Sequence, residues 1–323
     1  MFRYLQKRPS LEIHIPISPT AYFLNMTHYL VSSLRRFGGA YRNARVVLTI
    51  GDAEIDNNIT ESYSWIRRER VEVKWVSKEL YARDSYFASA FERFRHEFRS
   101  DVVLMLDADI LISKPFDELI LECHRNQYLA GVIAHVPPFS EPDGWKKIYQ
   151  AAGLGEVSCK HEHTGWGYMF SDEERRFCPP YFNFGVVCAP SKIMKRIGEE
   201  IYDLMHRVES VMETGFRGQI ALSLAITKLA IPYRCLPMRY NFPNDVFLEA
   251  LHGLELPHAA ILHLLRDHQQ IYKTRLFADR SQVETMLARK DLRGVNLMAQ
   301  DVLRQIHSDV CHEQTQAHLA SNG

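Results

Sequence analysis

An α/β fold is expected for this chain: a mostly parallel, doubly wound sheet followed by a C-terminal helical appendage. Apolar segments of strand length alternate with segments of helical period through the first hundred residues. The run Val102-Val103-Leu104-Met105-Leu106 is continuously apolar, as suits a strand covered on both faces. It leads straight into Asp107-Ala108-Asp109, two acids at the carboxyl edge where open α/β sheets place their ligands.

Leu11 to Ile17 has period-2 apolarity and reads as the first strand. Phe23, Met26, Leu30 and Leu34 recur at helical spacing up to Phe37, where Gly38-Gly39 closes the helix. Arg45 to Ile50, ended by Gly51-Asp52, and Val71 to Val76 are the next strands. A helix from about Ser85 to Phe98 leads into the fourth strand, the one that carries the acids. Beyond Pro115 come a short helix near Phe116 to Arg125 and a strand near Tyr128 to His135. A long irregular region then runs from about Pro137 to Pro180. Trp145, Tyr149, Trp166, Tyr168 and the adjoining Tyr181 argue against disorder there; they suit either an acceptor pocket for sugar rings or an ordered aromatic flap over the core. Phe184 to Ala189 is a further strand, followed by helices from Ser191 to about Thr214 and from Gly218 to Leu229. Residues 1–275 are expected to form the main domain and 276–323 a helical extension, with a tail from His312 that is poor in apolar residues and frays.

Lys plus Arg and Asp plus Glu number 39 each, so no electrostatic footprint for nucleic acid or an anionic membrane is present. Met1 to Pro9 lacks the apolar core of a secretory signal, and no stretch approaches the ~18 apolar residues of a membrane span. The six cysteines have no CxxC spacing, which favours reduced thiols and a cytoplasmic setting, although a chain trimmed of an anchor would read the same. Cys159-Lys160-His161-Glu162-His163 has a single cysteine and no partner pair. It reads as solvent-facing histidines rather than a zinc site.

The acid pair carries the chemistry. On extended backbone the side chains at i and i+2 point the same way, so Asp107 and Asp109 can converge on one hard divalent cation. Manganese or magnesium held this way keeps positions open for water and phosphate oxygens, and its charge offsets that of a diphosphate.

With the acids so placed, the chain resembles nucleotide-sugar-dependent glycosyltransferases of the GT-A (nucleotide-diphospho-sugar transferase) fold. The likeness is strongest to the retaining enzymes of family 8, which include glycogenin-like and lipopolysaccharide galactosyltransferase-like proteins. Leu104 to Ile112 with Pro115-Phe116-Asp117-Glu118-Leu119 resembles the family's Asp-x-Asp and the segment after it. Tyr181-Phe182-Asn183-Phe184-Gly185-Val186 is similar to its Phe-Asn-x-Gly strand beside the donor sugar. Gly218-Gln219-Ile220-Ala221-Leu222 is similar to its Asp-Gln-x-x-Leu helix start, and Ile261-Leu262-His263-Leu264 resembles the strand whose histidine completes the metal shell. The resemblance spans roughly residues 10 to 275.

It implies a Mn2+ or Mg2+ ion on Asp107, Asp109 and His263, with a nucleoside diphosphate sugar bound along Asp107, Ala108 and Asp109. Arg93 resembles an arginine that contacts the donor; on its own it reads equally as a surface helix arginine. Asn183 and Gln219 are the candidate catalytic residues, hydrogen-bonding the donor sugar or the reacting oxygens. Taken alone, Asn183 also suits a strand bulge, Gln219 a solvated first helical turn and His263 a core histidine. Lys273, Arg266 or His268 would neutralise the leaving diphosphate. Two departures stand out. Gly218 replaces the family's usual Asp, and Leu264-Leu265-Arg266-Asp267 follows His263 where the family often has a Gly and a Lys-Pro-Trp.

The implied activity is transfer of a sugar from a nucleoside diphosphate sugar, a UDP-sugar in first place, to a hydroxyl acceptor of saccharide or other kind, with retention. Two rivals are a non-catalytic binding or scaffold protein with a GT-A shell and a sugar-1-phosphate nucleotidyltransferase. Ser18-Pro19-Thr20-Ala21-Tyr22 opposes the latter, since a Gly-rich phosphate loop belongs at that position.

Overall fold

Val102, Leu104 and Leu106 face one side of the central sheet and Val103 and Met105 the other, and all five are fully buried. This is the two-sided burial that a continuous apolar run requires. The computed structural model describes residues 8–166, 172–265, 269, 271 and 273–321. Its strands are β1 (Leu11–Ile17), β2 (Arg45–Ile50), β3 (Val71–Trp75), β4 (Val102–Leu106), β5 (Ile110–Ile112) and β6 (Leu129–Ile133). They are followed by β7 (His161–Glu162), β8 (Phe177–Cys178), β9 (Phe182–Pro190), β10 (Tyr233–Cys235), β11 (Phe242–Pro243) and β12 (Ile261–His263).

The central sheet has the order β10-β6-β9-β4-β1-β2-β3. Its pairings are parallel except those of β9, which runs antiparallel to both β4 and β6. One face is covered by the helix Ala21–Phe37 and by the C-terminal residues Val295, Val302, Leu303 and Ile306. The C-terminal segment is thus built into the core of that face: Tyr29 OH meets His307 Nδ1 at 2.7 Å, and the last helix runs from Gly294 to Ser321. The other face is covered by the helices Phe87–Glu92, Gly144–Ala151, Ser191–Glu209 and Arg217–Lys228.

Of the helix expected from about Ser85 to Phe98 only Phe87–Glu92 forms, and a separate helix, Lys78–Asp84, precedes it. Ser77 accepts a hydrogen bond from Leu80 N at 3.2 Å and starts the preceding helix, and Ser85, with φ of 54°, breaks it. The apolar spacing of Phe87, Phe91 and Phe94 marks only the side that meets the core.

The insertion between β6 and β9 holds the helix Gly144–Ala151 and the antiparallel hairpin of β7 and β8. Trp145, Tyr149, Trp166 and Tyr181 are all buried, so these rings pack inward as an aromatic flap; Tyr168 lies outside the described residues. His163, expected to face solvent, is 2% exposed, and its Nδ1 donates to Ala134 O at 3.0 Å. No disulfide joins any of the six cysteines, and among the described residues no helix is long and apolar enough to cross a membrane.

Candidate metal and donor site

A second, smaller sheet brings the distant parts of the site together. β12 lies between β11 and β5, parallel to the first and antiparallel to the second, in a register that sets His263 opposite Ile110. Leu264 N donates to Asp109 O at 2.9 Å and extends that pairing by one residue. His263, 154 residues from Asp109, therefore arrives beside it, with Nε2 at 3.1 Å from Oδ1. Asp107, Asp109 and His263 each offer a ligand atom, and these atoms lie within 4.8 Å of one another. Among the described residues no other His, Cys, Asp and Glu group meets that condition.

The acids converge by a turn rather than on extended backbone. β4 ends at Leu106 and β5 begins at Ile110, so Asp107 to Asp109 form the short bend between them. Asp107 N is anchored on Gly185 O at 3.0 Å, and its carboxylate is part exposed, while Asp109 is buried. Burial alone would raise the Asp109 carboxyl. The charges and hydrogen bonds of His263 and Lys273 outweigh it and hold the group below the usual carboxylate range. The Lys273 ammonium is paired with Asp109 Oδ2.

Arg93 is fully buried. Its guanidinium donates to Leu106 O at 3.0 Å, Phe184 O at 3.3 Å and Ala90 O at 3.1 Å, and reaches Asp107 Oδ1 at 3.4 Å. It ties the ends of β4 and β9 together and holds Asp107 from behind. Gln219 is also spoken for: Oε1 accepts from Phe184 N at 2.8 Å and Nε2 donates to Tyr181 OH at 3.1 Å. Asn183 Oδ1 accepts from Gly185 N at 3.0 Å and from Asn241 Nδ2 at 2.9 Å. Asn241 Oδ1 in turn meets His263 Nδ1 at 2.8 Å. Asn241 belongs to no recognisable motif; it precedes β11, and only the pairing of β11 with β12 brings it to the site.

Two glycines are explained by close approach. A Cβ on Gly185 would lie 2.3 Å from His263 Cε1, so only glycine lets the imidazole seat there. A Cβ on Gly218 would lie 3.1 Å from Phe184 Cε1, so the departure at 218 goes with the large ring at 184.

A cavity of about 230 Å³ opens in front of the acids, bounded by Ser18, Tyr22, Tyr86, Ser89 and Lys273 among others. Burial, then the charge of Asp109, pushes the Tyr22 hydroxyl up to about 12. A larger space of about 780 Å³ lies elsewhere, between residues 94–98 and the start of the helix Ser191–Glu209, and contains none of the converging ligands. Arg266 and His268 lie outside the described residues.

No protein-family model matches the chain, and no curated protein matches it in sequence. Its structure is similar to that of the bifunctional glycosyltransferase WbbM in the apo form, with 13% identity and a TM-score of 0.52 over 95% of this chain and 52% of that one. It is also similar to the galactosyltransferase LgtC in complex with donor and acceptor sugar analogs, with 17% identity and a TM-score of 0.50 over 83% of this chain and 94% of that one. The chain has the GT-A fold. It spans about half the length of the WbbM chain and nearly all of LgtC. Within that fold, the converging acids sit after the strand that crosses from the parallel half of the sheet to the antiparallel β9.

Proposed function

We propose that this chain is a metal-dependent glycosyltransferase that moves a sugar from a nucleoside diphosphate sugar to a hydroxyl acceptor. The observation that carries this is the convergence of Asp107, Asp109 and His263 in front of a cavity at the carboxyl edge of a GT-A sheet. Two carboxylates and an imidazole nitrogen suit manganese, and magnesium less well. A bound ion would offset the diphosphate charge and stabilise the leaving oxygen.

The protein's own groups supply the rest. Asp107 is aimed by Arg93, and Asp109 is held ionised by its cationic neighbours. Ala108, between them, lines the cavity without a side chain that would obstruct a phosphate. Lys273 is within reach of a diphosphate lying on the acids and can leave Asp109 to pair with it. Gln219 and Asn183 keep the Phe184 and Gly185 backbone in place.

A UDP-sugar donor and retention are supported by the family 8 resemblance. Among the described residues, Asp107 and Asp109 are the only carboxylates lining the cavity. Both are assigned to the ion in this reading, which leaves no other lining carboxylate to act as a covalent nucleophile. That supports attack by the acceptor hydroxyl from the face the phosphate leaves. Six cysteines without a disulfide support a reducing, cytoplasmic setting.

The test is a thermal-shift screen of UDP, GDP, CMP and dTDP sugars, with and without Mn2+, on wild type and Asp109→Ala. Ligand at 100 times its dissociation constant stabilises by about 2.7 kcal/mol. One nucleotide should raise the melting temperature only with Mn2+, and Asp109→Ala should abolish the effect. No shift with any donor would point instead to a non-catalytic shell.

A further inference from the structure

We infer that Asn241 is a positioning residue that fixes which ring nitrogen of His263 faces Asp109, and this rests on the metal reading of the site proposed above. The assignment starts from a group that can only donate, the backbone N–H of Gly185. It points at the Asn183 amide at 3.0 Å, so the atom there is the carbonyl oxygen. The Asn241 atom 2.9 Å from that oxygen must then be the amide nitrogen. The other Asn241 atom is therefore oxygen, and it faces His263 Nδ1 at 2.8 Å. Nδ1 must carry the proton.

In a neutral imidazole this leaves a lone pair on Nε2, which sits 3.1 Å from Asp109 Oδ1, itself an acceptor. Two acceptors at that distance are reconciled by a second ring proton on Nε2, which then donates to Asp109 as an imidazolium, or by a bound cation that takes that proton's place. The relay from Gly185 through Asn183 and Asn241 thus sets Nε2 as the ligand atom and holds the ring plane. Both asparagines act through His263, and Asn241 is 1% exposed, so water cannot replace it easily.

The experiment measures Mn2+ binding by the loss of free-ion electron paramagnetic resonance signal on the whole chain, in wild type, Asp109→Ala, Asn241→Leu and Asn183→Asp. Removing a hydrogen-bond partner of a metal-ligating histidine weakens binding by about 10- to 100-fold, and that is expected for Asn241→Leu. Asn183→Asp needs only to accept from Gly185 and Asn241, so it should stay within about threefold of wild type. Equal Mn2+ affinity in wild type and folded Asn241→Leu overturns the positioning role. Absence of Mn2+ binding in wild type overturns the metal reading itself. Should Asn241→Leu fail to fold, nitrogen-15 spectra of the wild-type histidines decide, with the His263 signal assigned from His263→Gln. Nδ1 is expected to be protonated, and an unprotonated Nδ1 overturns the relay.

Discussion

Lys273 places its ammonium on Asp109 Oδ2, the carboxylate oxygen that His263 does not use. The buried acid is therefore balanced by two cationic or donor groups before any ligand arrives, which is why its carboxyl stays ionised in spite of burial. A divalent ion must compete with that ammonium, and a diphosphate offers the ammonium an alternative partner. Lys273→Met is expected to tighten Mn2+ binding in the absence of nucleotide and to slow sugar transfer by about 10²-fold or more. Mn2+ titration and turnover measured on the same variant check both halves. Weaker Mn2+ binding would show that Lys273 supports the acids rather than competing for them.

Gly185 has no room for a side chain. Its substitution by Ala would set Cβ 2.3 Å from His263 Cε1 and 2.8 Å from Nδ1, so the ring must move off Asp109. We expect Gly185→Ala to lose about 1–3 kcal/mol of stability and most of its Mn2+ affinity. Gly218→Ala needs Phe184 Cε1 to yield only from 3.1 Å, and should keep Mn2+ binding near wild type. Thermal unfolding and Mn2+ titration of the two variants side by side test the contrast.

Much of this site was legible because its converging acids and histidine lie in or beside short apolar runs. Val102 to Leu106 announced a doubly buried strand, and Asp107-Ala108-Asp109 stood at its end. His263 could be reached only through resemblance, since Ile261-Leu262-His263 on its own is an apolar triplet with a histidine. Asn241 was invisible. Its place depends on the β11 to β12 pairing, and the two-residue β11 leaves no periodicity to read. Read alone, Arg93 suits a surface helix and Gln219 a solvated first turn, and in either case the side chain would be exposed. Both are buried because they satisfy backbone groups at the ends of β4 and β9, a demand set by tertiary contacts rather than by local pattern.

Arg93→Met tests that bracing. The substitution keeps an apolar stem but leaves the carbonyls of Leu106, Phe184 and Ala90 without this donor in a dry setting. A loss of about 3 kcal/mol in denaturant unfolding is expected, and Lys should recover only part of it because an ammonium cannot fork across two strands. A cost below about 1 kcal/mol would show that Arg93 is not a structural tie.

His163 gives the fold a pH dependence of its own. Burial pushes its pKa down to about 4 from the ordinary 6.5, against the smaller opposing effect of its bond to Ala134 O. Between those two values the unfolded chain binds a proton on this residue and the folded chain does not. Stability therefore falls as pH drops from 6.5 toward 4, by at most roughly 3 kcal/mol from this one group. His96, also pushed down to about 4 chiefly by burial, acts in the same direction. Urea unfolding of wild type and His163→Gln across that window isolates the contribution, because carboxylates titrate alike in both. The variant is expected to lose stability less steeply on acidification. Parallel curves would mean that the His163 ring reaches water and its proton when folded.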